Sequence, residues 1–101
     1  MTVLEKLTLA IEQGHPNETE ELVRKALEEG VDPVVLVEDV MVPVMREVGE
    51  KYKKQQVDIP RILSSARSVQ KGFQVVKELK ADYNPTESGT IILGTIEGDL
   101  H

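Results

Sequence analysis

The chain contains neither cysteine nor tryptophan, and its 101 residues include only one phenylalanine and two tyrosines. Without cysteine it can form no disulfide and no thiolate metal site, and nothing indicates an oxidising compartment. With so few aromatic residues, its core must be built from aliphatic side chains. No apolar run reaches the roughly 20 residues that a membrane-spanning helix needs, and the N-terminus lacks the pattern of a signal peptide. The sequence therefore predicts a cytoplasmic protein with no membrane partner.

The chain also lacks the excess of positive charge that nucleic-acid binding requires, since phosphate groups need a cationic face. The net charge is −6; residues 1–50 hold 12 acids and 4 bases, whereas residues 51–101 hold 6 acids and 8 bases. Lys51, Lys53 and Lys54 form the one basic cluster, and they suit the negative end of a helix dipole. We therefore expect no nucleic-acid partner.

Apolar residues recur at spacings of three and four in four stretches, the pattern of amphipathic helices. Gly14 and Gly30 end the first two stretches, and Asn17 and Asp58 are the predicted N-caps of the second and fourth. The predicted helices cover residues 2–13, residues 17–29, residues 33–53 and a stretch that follows Asp58. Helices with short connections bury their apolar faces against one another, so the sequence predicts an all-α, four-helix bundle over residues 1–80.

The third predicted helix is apolar around nearly its whole circumference, which predicts a central position. Pro43 lies inside it and should free the carbonyl of Asp39, at a cost of roughly 3 kcal/mol if nothing compensates. Gly49 leaves a bare patch where another backbone or a flat ligand could approach closely.

The fourth predicted helix has the clearest periodicity in the chain. Leu63 and Leu79 are expected to widen its buried stripe. The stripe itself consists of Ile59, Ile62, Ala66, Val69, Phe73 and Val76.

The end of the chain has a different character. Residues 81–89 read as a linker, because they contain Asn84-Pro85 and Ser88-Gly89. Residues 90–96 form a short apolar run rich in β-branched residues, which is typical of a strand covered on both faces. The residues after it read as a loop at the strand's C-terminal end, where α/β sheets bind ligands. We therefore expect residues 90–101 to be the first strand and ligand loop of a truncated Rossmann-like α/β domain.

Asp99 and His101 form an Asp-x-His pattern in this predicted loop. The carboxylate can accept a hydrogen bond from one ring nitrogen, which fixes the tautomer and makes the other nitrogen a better metal ligand. By itself so short a pattern also fits two solvated polar residues.

Residues 94–101, Gly-Thr-Ile-Glu-Gly-Asp-Leu-His, resemble the start of the cobalamin-binding signature Asp-x-His-x-x-Gly. Three helical segments, residues 48–52 (Val-Gly-Glu-Lys-Tyr), 59–63 (Ile-Pro-Arg-Ile-Leu) and 65–67 (Ser-Ala-Arg), resemble the helical cap that precedes the corrinoid-binding domain of cobalamin-dependent methionine synthase. The resemblance covers nearly the whole chain. Overall, the sequence is most similar to the small corrinoid proteins that work with methyltransferases.

This resemblance implies a role for particular residues. His101 would be the lower axial ligand of cobalt and Asp99 its hydrogen-bonding partner. The cap would cover the upper face of the corrin through Tyr52, Ile59 and Ile62. Two positions depart from the family pattern, because Tyr52 replaces a common Phe and Asp58 a frequent apolar residue. The rest of the signature is absent from the sequence, so we expect this chain to retain cobalamin weakly or not at all.

The implied function is that of a methyl carrier. The intact protein would carry a methyl group on cobalt between a substrate-specific methyltransferase and a second methyltransferase, and would not be an enzyme by itself. Two alternatives are a cobalamin-dependent sensor or regulator and a ligand-free, self-associating helical bundle. We also expect the chain to form homo-oligomers through helix faces or through the unpaired strand. The identity of the methyl donor stays open.

Overall fold

The computed structural model describes residues 1–80, 82 and 83. Within that range the chain forms four helices, of which the third begins with a π-helical segment, so the predicted all-α bundle is confirmed. The predicted strand at residues 90–96 and most of the linker lie outside the described residues. The segments are α1 (Val3–Gln13), α2 (Pro16–Glu28), π1 (Val35–Met41), α3 (Val42–Lys53) and α4 (Ile59–Leu79).

The helix ends follow from local sequence. The side chain of Thr2 accepts a hydrogen bond from the backbone N–H of Glu5 (3.2 Å), and the Glu5 carboxylate accepts one from the N–H of Thr2 (3.1 Å), a capping box that starts α1. Asp58 caps α4 as predicted. The prediction that Asn17 caps α2 is wrong, because Pro16 already occupies the first helical position, for which the fixed φ of proline is suited.

The third helix passes through Pro43 without ending, and π1 ends two residues before it, at Met41. At the end of π1 the N–H of Val42 donates to the carbonyl of Val37, five residues back instead of four. Such wider hydrogen bonding is one of the few ways in which a helix accommodates a local disturbance. The helix therefore continues to Lys53, where the predicted end is confirmed.

The core lies between all four helices and is aliphatic, as the composition predicts. α4 contacts each of the other helical segments. Phe73 is the only aromatic residue among the buried side chains of the described range. The side chains with at most 1% exposure include Leu7, Ile11, Val23, Leu36, Val37, Met41, Met45, Ile62, Val69 and Val76.

The buried face of α4 is centred on small residues. Ser65, Ser68 and Gly72 are buried, and a Cβ atom added at Gly72 would lie 2.8 Å from the Sδ of Met41. This close approach turns Leu63 outward, where it is 45% exposed. The prediction that Leu63 and Leu79 widen the stripe is therefore wrong; Leu79 is 39% exposed because it is the last residue of the helix.

Candidate functional site

The end of α3 and the start of α4 border an open groove with a volume of about 960 Å³. Its lining is contributed by Tyr52 and Lys53 from α3, by residues 55–58 of the connection, and by Ile59 and Pro60 from α4. Its walls are thus both apolar and polar. The groove is where two of the candidate binding residues, Tyr52 and Ile59, meet.

The connection between α3 and α4 is a tight turn that fixes the groove's shape. The N–H of Gln55 donates to the carbonyl of Tyr52 (2.9 Å), and the N–H of Gln56 donates to the carbonyl of Lys51 (2.8 Å). Gln55 has a φ of 63°, a left-handed conformation that usually belongs to glycine at this position of a helix end. Asp58 then starts α4 by accepting a hydrogen bond from the N–H of Arg61 (3.0 Å).

Two of the five predicted site residues lie together in this groove. Tyr52 is half-buried and packs against the core, while Ile59 is 51% exposed. Ile62 has no exposed surface and belongs to the core, not to the groove lining. Asp99 and His101 lie outside the described residues. The structure therefore places Tyr52 and Ile59 together at the groove, and it buries Ile62 in the core.

Leu63 is an exposed apolar residue that the sequence reasoning assigned to the core. It follows Ile59 by four residues, so the two side chains share one face of α4. The sequence signal that could have identified it is the series Ser65, Ser68 and Gly72, since small residues mark the side on which a helix approaches its neighbours most closely.

Charges of both signs line the groove, from Lys53 and Asp58. Lys53 and Lys54 are exposed, and Lys51 forms a salt bridge with Glu47 (3.5 Å). In residues 1–80, 82 and 83, no group of three His, Asp or Glu side chains could hold a metal ion. The groove itself offers both apolar and polar contacts. None of the helices in this range is long and apolar enough to cross a membrane.

Comparison with known proteins identifies a family and several relatives. A family model described as the B12 binding domain matches residues 3–77. The trimethylamine corrinoid protein 1 of Methanosarcina mazei is 41% identical over 83 residues, which are 80% of this chain and 38% of that protein. A corrinoid protein of Desulfitobacterium hafniense is 32% identical over 104 residues, 100% of this chain and 48% of that protein.

A solved structure shares the fold. The methanol:cobalamin methyltransferase complex MtaBC from Methanosarcina barkeri matches with a TM-score of 0.72 and 24% identity, over 81% of this chain and 32% of that one. This chain spans less than half the length of the curated relatives named above.

The matched residues, 3–77, include nearly all of the helical bundle and the whole groove between α3 and α4. The family binds cobalamin, so the cofactor expected from the resemblance is supported by an independent comparison. The chain belongs to the B12-binding domain family.

Proposed function

We propose that this helical bundle covers the upper face of cobalamin in a corrinoid protein that carries a methyl group between two methyltransferases. The observation that carries the proposal is the groove at Tyr52 and Ile59, because these residues occupy positions that contact the corrin in the family that the sequence resembles. Relatives named for trimethylamine, monomethylamine and methanol are all corrinoid proteins, and the choice of methyl donor would lie with the partner enzyme.

The groove suits the face of a flat, largely apolar ring. Ile59 and Leu63 are large apolar side chains with about half of their surface exposed, and the half-buried Tyr52 lines the groove together with Ile59. Burial of apolar surface contributes roughly 25 cal/mol per Å², so covering these three side chains would favour binding. Packed over the ring, they would also exclude water from its upper face.

The remaining predicted site residues have separate roles in this proposal. Cobalamin, when bound, supplies a cobalt ion that can hold a methyl group. His101 would coordinate that ion from below, and Asp99 would accept a hydrogen bond from the other ring nitrogen and orient the imidazole. Ile62 stays in the proposed contact set, but its complete burial favours an indirect role, in which it holds the helix that presents Ile59.

The proposal is tested by titrating the 101-residue chain with methylcobalamin while recording backbone amide NMR spectra and the visible spectrum of the corrinoid. We expect weak binding with amide shifts concentrated at residues 52–60. Tyr52→Ala and Ile59→Ala should weaken it, whereas Gln74→Ala, an exposed site farther along α4, should not. Shifts that avoid the groove would contradict the proposal. A tight complex with a spectrum typical of axial imidazole ligation would contradict only the expectation that this chain retains cobalamin weakly or not at all.

We also propose that the chain self-associates through the same apolar surface. Ile59 and Leu63 are adjacent and exposed, so a second copy could bury them in place of a ring. Sedimentation velocity at high protein concentration should detect dimers, and Leu63→Glu should reduce them. A strictly monomeric profile of the unmodified chain would contradict this.

A further inference from the structure

Three of the four glycines in the described part of the chain have a structural explanation. Gly14 and Gly30 have φ values of 73° and 92°, which favour glycine. Gly72 lies where a Cβ atom would come within 2.8 Å of Met41. Gly49 has neither feature, because its φ is not positive and an added Cβ would meet no described atom within 4 Å.

Gly49 therefore lowers the stability of α3, and no contact in the described chain compensates for this loss. It lies in the interior of α3, which runs from Val42 to Lys53, and glycine is the least favourable residue except proline at such positions. Alanine would fit the space and would restrict the unfolded chain. The bundle by itself gives no reason for glycine at this position.

The position of Gly49 relates it to the groove. Residues three and four apart share a face of a helix, and Tyr52 and Lys53, which follow Gly49 by three and four, both line the groove. Gly49 is half-buried and precedes the lining residues by one turn, so it continues the groove wall as bare backbone.

We infer that Gly49 is a specificity-determining residue for cobalamin, and that it leaves α3 bare so that the edge of the corrin ring lies against the helix backbone. The inference rests on the proposed function and deepens it. A flat macrocycle that already contacts Tyr52 and Ile59 needs a level surface beside them, and any side chain at position 49 would hold the ring away from the wall. The ring thus accounts for a glycine that the bundle does not require.

The inference predicts opposite effects on stability and on binding, measured with the 101-residue chain. Gly49→Ala should raise the thermal midpoint by about 4–8 °C, because alanine is the better helix former. Gly49→Leu should weaken binding of methylcobalamin, followed by amide NMR shifts, by about tenfold or more, because the added side chain overpacks the contact. Gln74→Leu places the same leucine side chain on an exposed face of α4 and should leave binding unchanged.

The outcomes distinguish the inference about Gly49 from the proposed function. If Gly49→Leu binds methylcobalamin like the unmodified chain while Tyr52→Ala binds more weakly, the inference is wrong and the proposed function stands. If Gly49→Ala lowers the thermal midpoint, the fold itself requires glycine and the inference is wrong. If methylcobalamin shifts amides of the unmodified chain only outside the groove, the proposed function fails and takes the inference with it.

Discussion

The buried face of α4 and the exposed face at the start of that helix differ in the size of their side chains. The buried face of α4 includes the small residues Ser65, Ser68 and Gly72. Two large apolar residues near the start of the helix, Ile59 and Leu63, are instead exposed. Burial on this helix is thus decided by how closely the neighbouring helices approach, not by side-chain size. The exposed Ile59 lies at the end of α4 that borders the groove.

The strongest test of this comparison uses one residue type at two neighbouring sites. Ile62→Ala should lower the free energy of unfolding by about 2–5 kcal/mol, because Ile62 is completely buried and alanine leaves a cavity. Ile59→Ala should change it by less than about 0.5 kcal/mol, since half of that side chain is exposed. Urea denaturation measures both. Similar losses of stability for the two variants would show that Ile59 is packed as tightly as Ile62.

The second test concerns a close contact on the buried face of α4. Gly72→Val should destabilise the bundle by about 1–3 kcal/mol, because its Cβ would lie 2.8 Å from the Sδ of Met41 and 3.3 Å from a methyl group of Val23. Gln74→Val, on the exposed side of the helix, should cost only about 0.5 kcal/mol of helix propensity. Thermal unfolding of the two variants makes the comparison, and equal midpoints would contradict the close approach.

A smaller effect is expected at the start of α4. Asp58→Ala should lower the free energy of unfolding by about 0.5–2 kcal/mol, because it removes the side-chain acceptor for the N–H of Arg61. Asp58→Ser should retain most of the stability. Amide hydrogen exchange in residues 59–62 should accelerate in the alanine variant, and unchanged exchange there would show that the cap does not hold this end of the groove.

The smallest effect is expected at the opposite end of the bundle, where Tyr83 packs against the core. Burial, and then the carboxylates of Glu38 and Asp32, raise the pKa of the Tyr83 phenol above its usual value of 10.0. Its contribution to stability is therefore fully present below about pH 10 and is lost as the pH rises through the raised pKa.

Glu38→Gln should lower the pKa of Tyr83 towards its usual value, because one of the carboxylates that disfavour the phenolate is removed. Tyrosinate absorbance measures this titration in a Tyr52→Phe background, which leaves Tyr83 as the only tyrosine of the chain. A titration that is the same with and without Glu38 would show that Tyr83 does not pack beside π1.

Several features of the fold and of the site could be predicted from local sequence, and others could not. The capping of α4 by Asp58 and the bare patch at Gly49 depend on a few neighbouring residues, and the structure agrees with both. The orientation of Leu63 depends on which face of α4 meets α2 and π1, and periodicity alone placed it wrongly. The roles of Asp99 and His101 stay predictions that rest on the resemblance.

The sequence by itself determined the number of helices, most of their ends, the aliphatic nature of the core and the family, because spacing, caps and motifs are properties of short segments. The tertiary structure decided which face of α4 is buried and that Tyr52 and Ile59 border one groove. These outcomes depend on how closely separate helices approach, and that distance is set jointly by side chains far apart in the chain, such as Gly72 and Met41.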